Sequence, residues 1–259
     1  SAIAVQTRSV SEPIPYTRSI ARDAGWQWRI PLQSRVGNGL VFCSKYLSDE
    51  QAKETLLNNI EGEALTEPRV IKFRTGQRTQ HWNKNVIALG LAGGFVEPLE
   101  STSIHMVQSG ILRLLRMFPF EGINEPYVNE FNKQMSDEFL FIRDFIVLHY
   151  HVTERDDTEF WRHCKTMEIP ESLQHRIDMF KQTGSVFHKI GDLFAENSWT
   201  QVMLGQGLLP ETHHPIVDMM SDEELKAFMS SIKSSVDHLV DQLPSHQKFI
   251  TSYCKAEPN

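Results

Sequence analysis

An α+β fold is predicted for this chain of 259 residues, because the texture of the sequence changes along its length. Residues 1–100 contain short runs of β-branched and aromatic residues broken by Gly, Pro and Asn, which is typical of strands. From about residue 102 apolar residues recur every three or four positions, which is typical of amphipathic helices. We therefore expect a sheet-rich domain in residues 1–100 and a mainly helical domain in residues 101–259.

The first hundred residues contain five predicted strand segments and one predicted helix. The strand segments are IAVQTRSV, GWQWRI, GLVFCSKY, RVIKFRTG and HWNKNVIAL. Asn38 and Gly39 can both take a positive φ, so a hairpin turn is predicted within RVGNG. Ser48 with Gln51 three residues later predicts a capping box at the start of a helix through DEQAKETLLNNI.

The second part of the chain contains several predicted helices. The first carries apolar residues at helical spacing, namely Ile104, Val107, Ile111, Leu114 and Phe118. A longer one follows in EPYVNEFNKQMSDEFLFIRDFIVLHYHV. Others are predicted at residues 157–164, at residues 170–182 with Gly184 past the end, and at residues 222–242.

Composition excludes several classes of protein. With 40% hydrophobic and 23% charged residues the chain is an ordinary globular protein. The net charge of −7 and the scattered Lys and Arg residues argue against nucleic acid as a partner. No apolar run reaches the roughly 20 residues of a membrane-spanning helix, and residues 1–10 lack the regions of a signal peptide, so no membrane is expected.

Cysteine and histidine spacing predicts no metal site. Cys43, Cys164 and Cys254 are far apart and odd in number, which favours a reducing, cytoplasmic location over a disulfide framework. The histidines of HYH at residues 149–151 and the pair at residues 213–214 lack the spacing of metal ligands. We expect them on helix surfaces or in loops.

Two tryptophans stand one residue apart in GWQWRIP, residues 25–31. Side chains alternate in a strand, so Trp26, Trp28 and Ile30 should share one face, while Gln27 and Arg29 should point the other way. That face could pack on the core, or it could form the wall of a pocket. Spacing alone does not decide between the two.

A second unusual stretch is GLAGGFVEPLESTSIH, residues 90–105. Its glycines permit close backbone approach, and Glu100 to Ser103 lead directly into a predicted helix. The start of a helix presents unpaired backbone amides and the positive end of the dipole, which suit an anion. An ordinary capped helix, with Ser101 or Thr102 as the N-cap, is the alternative.

Both stretches resemble motifs of the flavin-dependent halogenases, the tryptophan halogenase family. GWQWRIP resembles the family's WxWxIP signature, and GLAGGFVEPLESTSI is similar to its second flavin-side loop. The connecting segments VIKFRTGQRTQHWNKNVIALG and FIRDFIVLHYHVTERDDTEFW are similar too, so the resemblance covers nearly all of the chain. It implies the remainder of a flavin monooxygenase-like FAD-binding box, with a mixed sheet, followed by a helical subdomain on the substrate side.

The resemblance implies a two-part reaction. A separate flavin reductase supplies reduced FAD, which with dioxygen and chloride or bromide gives hypohalous acid. This oxidant crosses an internal tunnel and halogenates a small, electron-rich aromatic substrate.

Site residues follow from the same resemblance, position by position. Glu100 matches the family's catalytic glutamate and Ser101 the serine proposed to relay beside it, while Thr102 and Ser103 match the halide site. The remaining implied residues are the tunnel wall Trp26, Trp28, Ile30 and Pro31 and the flavin-side residues Gly93, Gly94 and Pro98.

Departures from the family pattern bear on halide and substrate. Many members have Gly where Ser103 stands, and we hypothesise that Ser103 favours bromide over chloride. Tryptophan-specific members grip the amino acid's amine and carboxylate with an aromatic and acidic stretch. Here the segment is GSVFHKIGDLFAENSW, in which Phe194 replaces a ring-stacking tryptophan and Lys189 stands near an expected acidic residue. We expect an indole or phenol without the amino-acid head, contacted by Phe194.

The family's GxGxxG turn and catalytic lysine find no match here. GNG at residues 37–39 and GLAGG have the wrong spacing for a phosphate-binding turn. By the resemblance the chain is a C-terminal half, so the missing N-terminal half is an expected partner and the chain alone should not halogenate. A flavin-dependent aromatic monooxygenase and a non-catalytic helical module stay open as alternatives.

Overall fold

Strands dominate the first hundred residues and helices the remainder, as the α+β prediction requires. The computed structural model describes residues 1–257. The strands are β1 (Ala2–Thr7), β2 (Arg18–Arg22), β3 (Gly25–Pro31), β4 (Val36–Phe42), β5 (Arg69–Ile71), β6 (Gly76–Gln77), β7 (Trp82–Asn83), β8 (Val86–Ile87) and β9 (Gly94–Phe95). The helices are α1 (Asp49–Leu57), α2 (Ser103–Arg116), α3 (Glu125–His151), α4 (Glu159–Thr166), α5 (Glu171–Thr183), α6 (Glu196–Gly205), α7 (Asp222–Gln242) and α8 (His246–Phe249).

Five strands form one antiparallel sheet in the order β2-β3-β4-β1-β5. The mixed sheet implied by the resemblance is not seen among residues 1–257. Parallel pairs need long crossover connections, whereas β2, β3 and β4 are joined by short turns and so run antiparallel. The two small sheets, β6 with β9 and β7 with β8, are antiparallel as well.

The turn between β3 and β4 is not where the sequence predicted it. Asn38 and Gly39 lie inside β4, opposite Arg29 and Trp28 of β3, and neither has a positive φ. The chain reverses instead through residues 32–35, where the Leu32 N–H donates to the Arg35 carbonyl at 2.9 Å. Asn38 is held in β4 because the strand pairs on both sides and because its amide donates to the buried Thr7 hydroxyl at 3.0 Å.

Helix α1 packs on one face of the five-stranded sheet. Its start is the predicted capping box, in which the Ser48 hydroxyl accepts from the Gln51 N–H and the Gln51 side chain accepts from the Ser48 N–H. The core under it is formed by Ile3, Val5, Leu40, Phe42, Ala52 and Leu56. This apolar face stabilises both the helix and the sheet, because neither buries enough apolar surface alone.

A second core lies among the helices that follow. It is formed by Phe145, Leu148, Leu173, Ile177, Phe180, Val186, Trp199 and Met203. Helix α5 ends as predicted at Gly184, whose φ of 68° places it in the left-handed region that favours glycine. The predicted helix at residues 222–242 has the bounds of α7.

Internal contacts divide the chain into two compact units. The first unit contains residues 1–73, 158–160 and 215–259, and the second contains residues 74–157 and 161–214. The domain boundary near residue 100 stays a prediction. Within residues 1–257 no helix combines the length and the apolar character needed to cross a bilayer.

Candidate functional site

The two tryptophans of β3 share a face of the sheet, as strand alternation predicts. Their ring centroids are 5.9 Å apart with the planes tilted by 54°. Gln27 and Arg29 point the other way and are buried, because Gln27 donates to the Asn59 carbonyl at 3.0 Å and Arg29 pairs with Glu61 at 3.0 Å. The tryptophans are therefore on the face opposite to α1.

Small residues lie beside Trp28 on the adjacent strands. Trp28 is opposite Gly39 of β4, which in turn is opposite Ala4 of β1. A Cβ built on Gly39 would lie 2.0 Å from Cζ2 of Trp28, so the indole lies across the β4 backbone. Trp26 is 6% exposed, whereas Trp28 is only partly buried. The tunnel-wall role of Trp26, Trp28, Ile30 and Pro31 stays a prediction.

The loop before α2 has an unusual backbone. Glu100 has a φ of 64° and Ser101 a φ of 53°, two consecutive left-handed residues that are not glycine. Each such residue costs about 1–3 kcal/mol unless the surroundings fix it. The Ser101 N–H donates to the Pro98 carbonyl at 2.9 Å, which closes a tight turn. Strain of this kind accumulates at functional sites, and here it determines the direction of the Glu100 side chain.

Glycines earlier in this loop are required by packing within the chain. A Cβ on Gly93 would lie 2.8 Å from Nδ1 of His81, and one on Gly94 would lie 2.9 Å from the Gly76 carbonyl oxygen. Protein atoms therefore fill the space that we expected a ligand to need. Flavin contact by Gly93, Gly94 and Pro98 stays a prediction.

Two carboxylates anchor the loop on helix α3. Oε1 of Glu100 lies 3.2 Å from Nε2 of His149, and the Tyr150 hydroxyl donates to both carboxylate oxygens of Glu97 at 2.9 and 3.0 Å. The surface position predicted for the HYH histidines is therefore wrong for His149, whose side chain is 16% exposed. The sequence offered one signal for these contacts. Two glutamates stand three residues apart in FVEPLE, and two polar residues, His149 and Tyr150, are adjacent in HYH.

Aromatic rings continue from His149 to the predicted substrate contact. Phe145 packs edge-on against His149 with centroids 4.9 Å apart, and it stacks on Phe194 with centroids 3.9 Å apart. Glu100 and Phe194 thus both belong to one cluster around α3. The role of Phe194 in substrate binding stays a prediction.

Thr102 and Ser103 form the start of α2. Thr102 is 2% exposed, and its hydroxyl oxygen has no hydrogen-bond partner among the described residues. The hydroxyl does not cap the helix. A buried hydroxyl without a partner loses free energy relative to a hydrated one, so a bound anion that accepts its hydrogen would offset that cost. The residues present fit a halide at this position.

A buried carboxylate fixes α2 on α3. Glu138 of α3 is 5% exposed and accepts from three side chains of α2. The distances are 2.9 Å to His105 Nε2, 2.8 Å to Ser109 Oγ and 2.6 Å to Arg113 Nη1. Both oxygens of the buried charge are satisfied, which determines the register of α2 and hence the position of its first residues.

Metal ligands are not clustered within the described residues. No group of three or more His, Cys, Asp or Glu side chains there could hold a metal ion.

Comparisons with known proteins agree over most of the chain. The family model described as Tryptophan halogenase matches residues 1–222. Tryptophan 6-halogenase SttH of Streptomyces toxytricini is 33% identical over 92% of this chain and 46% of its own. Tryptophan 7-halogenase RebH of Lentzea aerocolonigenes is 28% identical over 91% of this chain and 48% of its own.

Two solved structures have higher sequence identity to this chain than these two relatives. Xcc4156, a flavin-dependent halogenase from Xanthomonas campestris, superposes with a TM-score of 0.97 at 52% identity, covering 100% of this chain and 52% of its own. BrvH, a flavin-dependent halogenase from Brevundimonas sp. BAL3, gives a TM-score of 0.93 at 44% identity, covering 96% and 51%. The chain spans about half the length of the relatives it matches.

Proposed function

This chain belongs to the tryptophan halogenase family, and on that premise we propose that it is the substrate-side part of a flavin-dependent halogenase acting on a small, electron-rich aromatic ring. The observation that carries the proposal is the strained turn at Glu100 and Ser101, which leads directly to the buried, unpartnered hydroxyl of Thr102. A carboxylate that can accept a proton and an anion site that can hold a halide are then adjacent in the chain.

The cofactor supplies the oxidant. When bound, FAD reduced by a separate flavin reductase would, with dioxygen and chloride or bromide, supply hypohalous acid for the substrate. The phosphate-binding turn and the lysine that the family uses would come from the missing N-terminal half.

Halide binding is assigned to the start of α2. The Thr102 hydroxyl donates to the anion, and the backbone amide of Ser103 at the positive end of the helix adds a second donor. Burial of Thr102 strengthens both interactions, because water does not compete.

Glu100 is assigned to proton removal. The ring carbon attacks the halogen of hypohalous acid, the halogen–oxygen bond breaks, and the released hydroxide ends as water. The cationic ring that remains must lose a proton. The Glu100 carboxylate accepts that proton, and the C–H electron pair restores the aromatic ring. Ser101 provides a neighbouring hydroxyl. The wall of Trp26, Trp28, Ile30 and Pro31 separates the substrate from the flavin, which prevents hydroxylation.

An indole without the amino-acid head fits the second unit best. Of the two acidic residues in the predicted substrate segment, Asp192 and Glu196, Asp192 pairs with Arg176, and the side chains of this pair are 2% and 6% exposed. This carboxylate is thus not available to an ammonium group. Phe194 offers an apolar ring, partly covered by Phe145, for contact with the substrate.

Exposed apolar faces support a missing partner half. Helix α7 exposes Leu225, Phe228, Met229, Ile232, Val236, Leu239 and Val240 by more than a third each. Helix α2 exposes Ile104, Ile111, Leu112 and Leu115 by 43% or more. Apolar faces of this extent mark interaction surfaces. We assign them to the N-terminal half of the same enzyme, and we expect a cytoplasmic location.

The test is halogenation by the full-length enzyme with reductase, FAD, NADH and bromide. Indole and tryptophan are supplied in competition, and the products are identified by mass. Brominated indole in excess, lost in Glu100→Gln, is the expected result. Hydroxylated product would instead indicate a monooxygenase, and no product from either substrate would overturn the proposal. Intact mass of the natural protein determines whether both halves are one polypeptide.

A further inference from the structure

We propose that His149 is a positioning residue for Glu100, holding the carboxylate towards the substrate through the Nε2 to Oε1 contact. This inference rests on the proposed function of Glu100. His149 is distant from Glu100 in the chain, and it is the one side chain within residues 1–257 that pairs with the Glu100 carboxylate.

Proton positions on the imidazole follow from its two partners. Nδ1 lies 2.8 Å from the Phe145 carbonyl oxygen, which can only accept, so Nδ1 carries a hydrogen. Nε2 lies 3.2 Å from Oε1 of Glu100, and two lone pairs at that distance would repel each other. A hydrogen on Nε2 removes that repulsion, and the imidazole then attracts the carboxylate as a close ion pair.

The imidazole ring itself cannot turn freely. Phe145 is one helical turn before His149 in α3 and packs edge-on against it at a centroid distance of 4.9 Å. Phe145 is in turn fixed between Phe194 and Trp199, at 3.9 and 4.9 Å. The buried core of the second unit thus holds the His149 ring through the Phe145 side chain, and the hydrogen bond from Nδ1 to the Phe145 carbonyl oxygen fixes its orientation.

Glu100 needs such a support because its own surroundings are open. Its side chain is 38% exposed, whereas that of His149 is 16% exposed. A carboxylate with that exposure could adopt several rotamers, and only some would reach a ring carbon. The strained backbone sets the Cα–Cβ direction, and His149 selects among the rotamers that remain. Positioning of this kind acts on turnover more than on binding.

The kinetic test compares three variants of the full-length enzyme. His149→Phe keeps a ring but removes the hydrogen bond to the Phe145 carbonyl and the Nε2 contact with Glu100, and we expect kcat to fall about 100-fold with the bromide and indole KM values unchanged. His149→Gln keeps an N–H donor for Glu100 and should restore most of kcat. His151→Gln is the matched control, because His151 lies two residues further on and contacts the Cys164 carbonyl instead. It should keep the wild-type kcat.

A structural test uses this chain directly. Nitrogen-15 NMR of labelled histidines should show that Nδ1 of His149 is protonated, and Glu100→Gln should shift the Nε2 signal while leaving His151 unchanged. An Nε2 signal that ignores Glu100→Gln would overturn the pairing. A wild-type kcat in His149→Phe, or equal losses in the phenylalanine and glutamine variants, would overturn the positioning role.

Failure of the two proposals can be told apart. Absence of halogenation in the unmodified full-length enzyme would overturn the proposed function, and the positioning role with it, whatever the NMR result. An active parent whose His149→Phe variant is equally active would overturn only the inference about His149. Thermal midpoints of all variants exclude misfolding as the cause of a lower kcat.

Discussion

The indole of Trp28 lies so close to Gly39 on the neighbouring strand that a Cβ at residue 39 would be 2.0 Å from Cζ2. The two residues are direct partners in the β3–β4 ladder. The absence of a side chain at Gly39 thus determines where one of the two wall tryptophans lies.

Gly39→Ala should displace the Trp28 ring. The added methyl group has no room beside the indole, so we expect a loss of about 1–3 kcal/mol in the free energy of unfolding. Urea unfolding and near-ultraviolet circular dichroism measure the two effects. Gly37→Ala in the same strand is the control, because its Cβ would lie 3.8 Å from the Ile30 carbonyl oxygen and needs no adjustment. Equal behaviour of the two variants would contradict this account.

Glu138→Gln should destabilise the second unit. The amide cannot accept from His105, Ser109 and Arg113 together, and it leaves the partly buried guanidinium of Arg113, 16% exposed, without its counter-ion. Removing one partner of a buried pair costs about 3–5 kcal/mol. Asp137→Asn in the exposed pair with Lys133 is the control and should leave the denaturation midpoint unchanged. A Glu138→Gln variant as stable as the wild type would show that the network is dispensable.

Stability should fall in mild acid because of His81. Burial, opposed by a hydrogen bond with the Ala88 backbone and assisted by Arg78, holds the pKa of His81 below its ordinary value of 6.5. The unfolded chain then binds a proton more readily than the folded one, so the contribution of His81 is full above pH 6.5 and is lost as the pH falls below that value. His81→Gln should flatten the pH dependence of the free energy of unfolding in that range. The exposed His175, changed to Gln, should not alter the slope.

Thr102→Val should separate halide binding from stability. The methyl group replaces a hydroxyl that has no protein partner, so the thermal midpoint without halide should be equal or higher. The halide KM of the full-length enzyme should rise several-fold, by the roughly 1 kcal/mol of one hydrogen bond. A halide titration of turnover measures this, and an unchanged halide KM would remove Thr102 from the halide site.

Ser103→Gly should change the choice of halide. We expect the wild type to turn over bromide faster than chloride at matched concentration, and the glycine variant to reduce that difference. Product yields from the two halides in competition measure the ratio. Equal turnover of both halides by the wild type would end the hypothesis.

Local signals in the sequence predicted much of the fold. The capping box at Ser48 and Gln51 and the glycine end at Gly184 depend on residues within one helical turn, and both were confirmed. The Asn38 and Gly39 turn was wrong because pairing with strands on both sides overrides a local preference for positive φ. Tertiary context of that kind is not visible in a four-residue window.

The site residues also divide into those that a local motif could predict and those that only tertiary packing brings together. Glu100, Ser101, Thr102 and Ser103 form one continuous motif, and the sequence could nominate them together. His149 and Tyr150 follow Glu97 by about fifty residues, so only the packing of α3 against the loop brings them together. Glu138 was missed for the same reason, since its partners belong to another helix.

The loop holds helix α3 by two adjacent residues, and adjacent residues of a helix point about 100° apart. Glu97 and Glu100 therefore contact α3 in two different directions, through Tyr150 and His149, and together they fix the rotation of α3 about its own axis. A chimeric enzyme that exchanged the loop without residues 145–150 would retain α3 but lose the contacts that fix its rotation. The loop and residues 145–150 therefore form one unit, and an engineered enzyme should exchange both segments together.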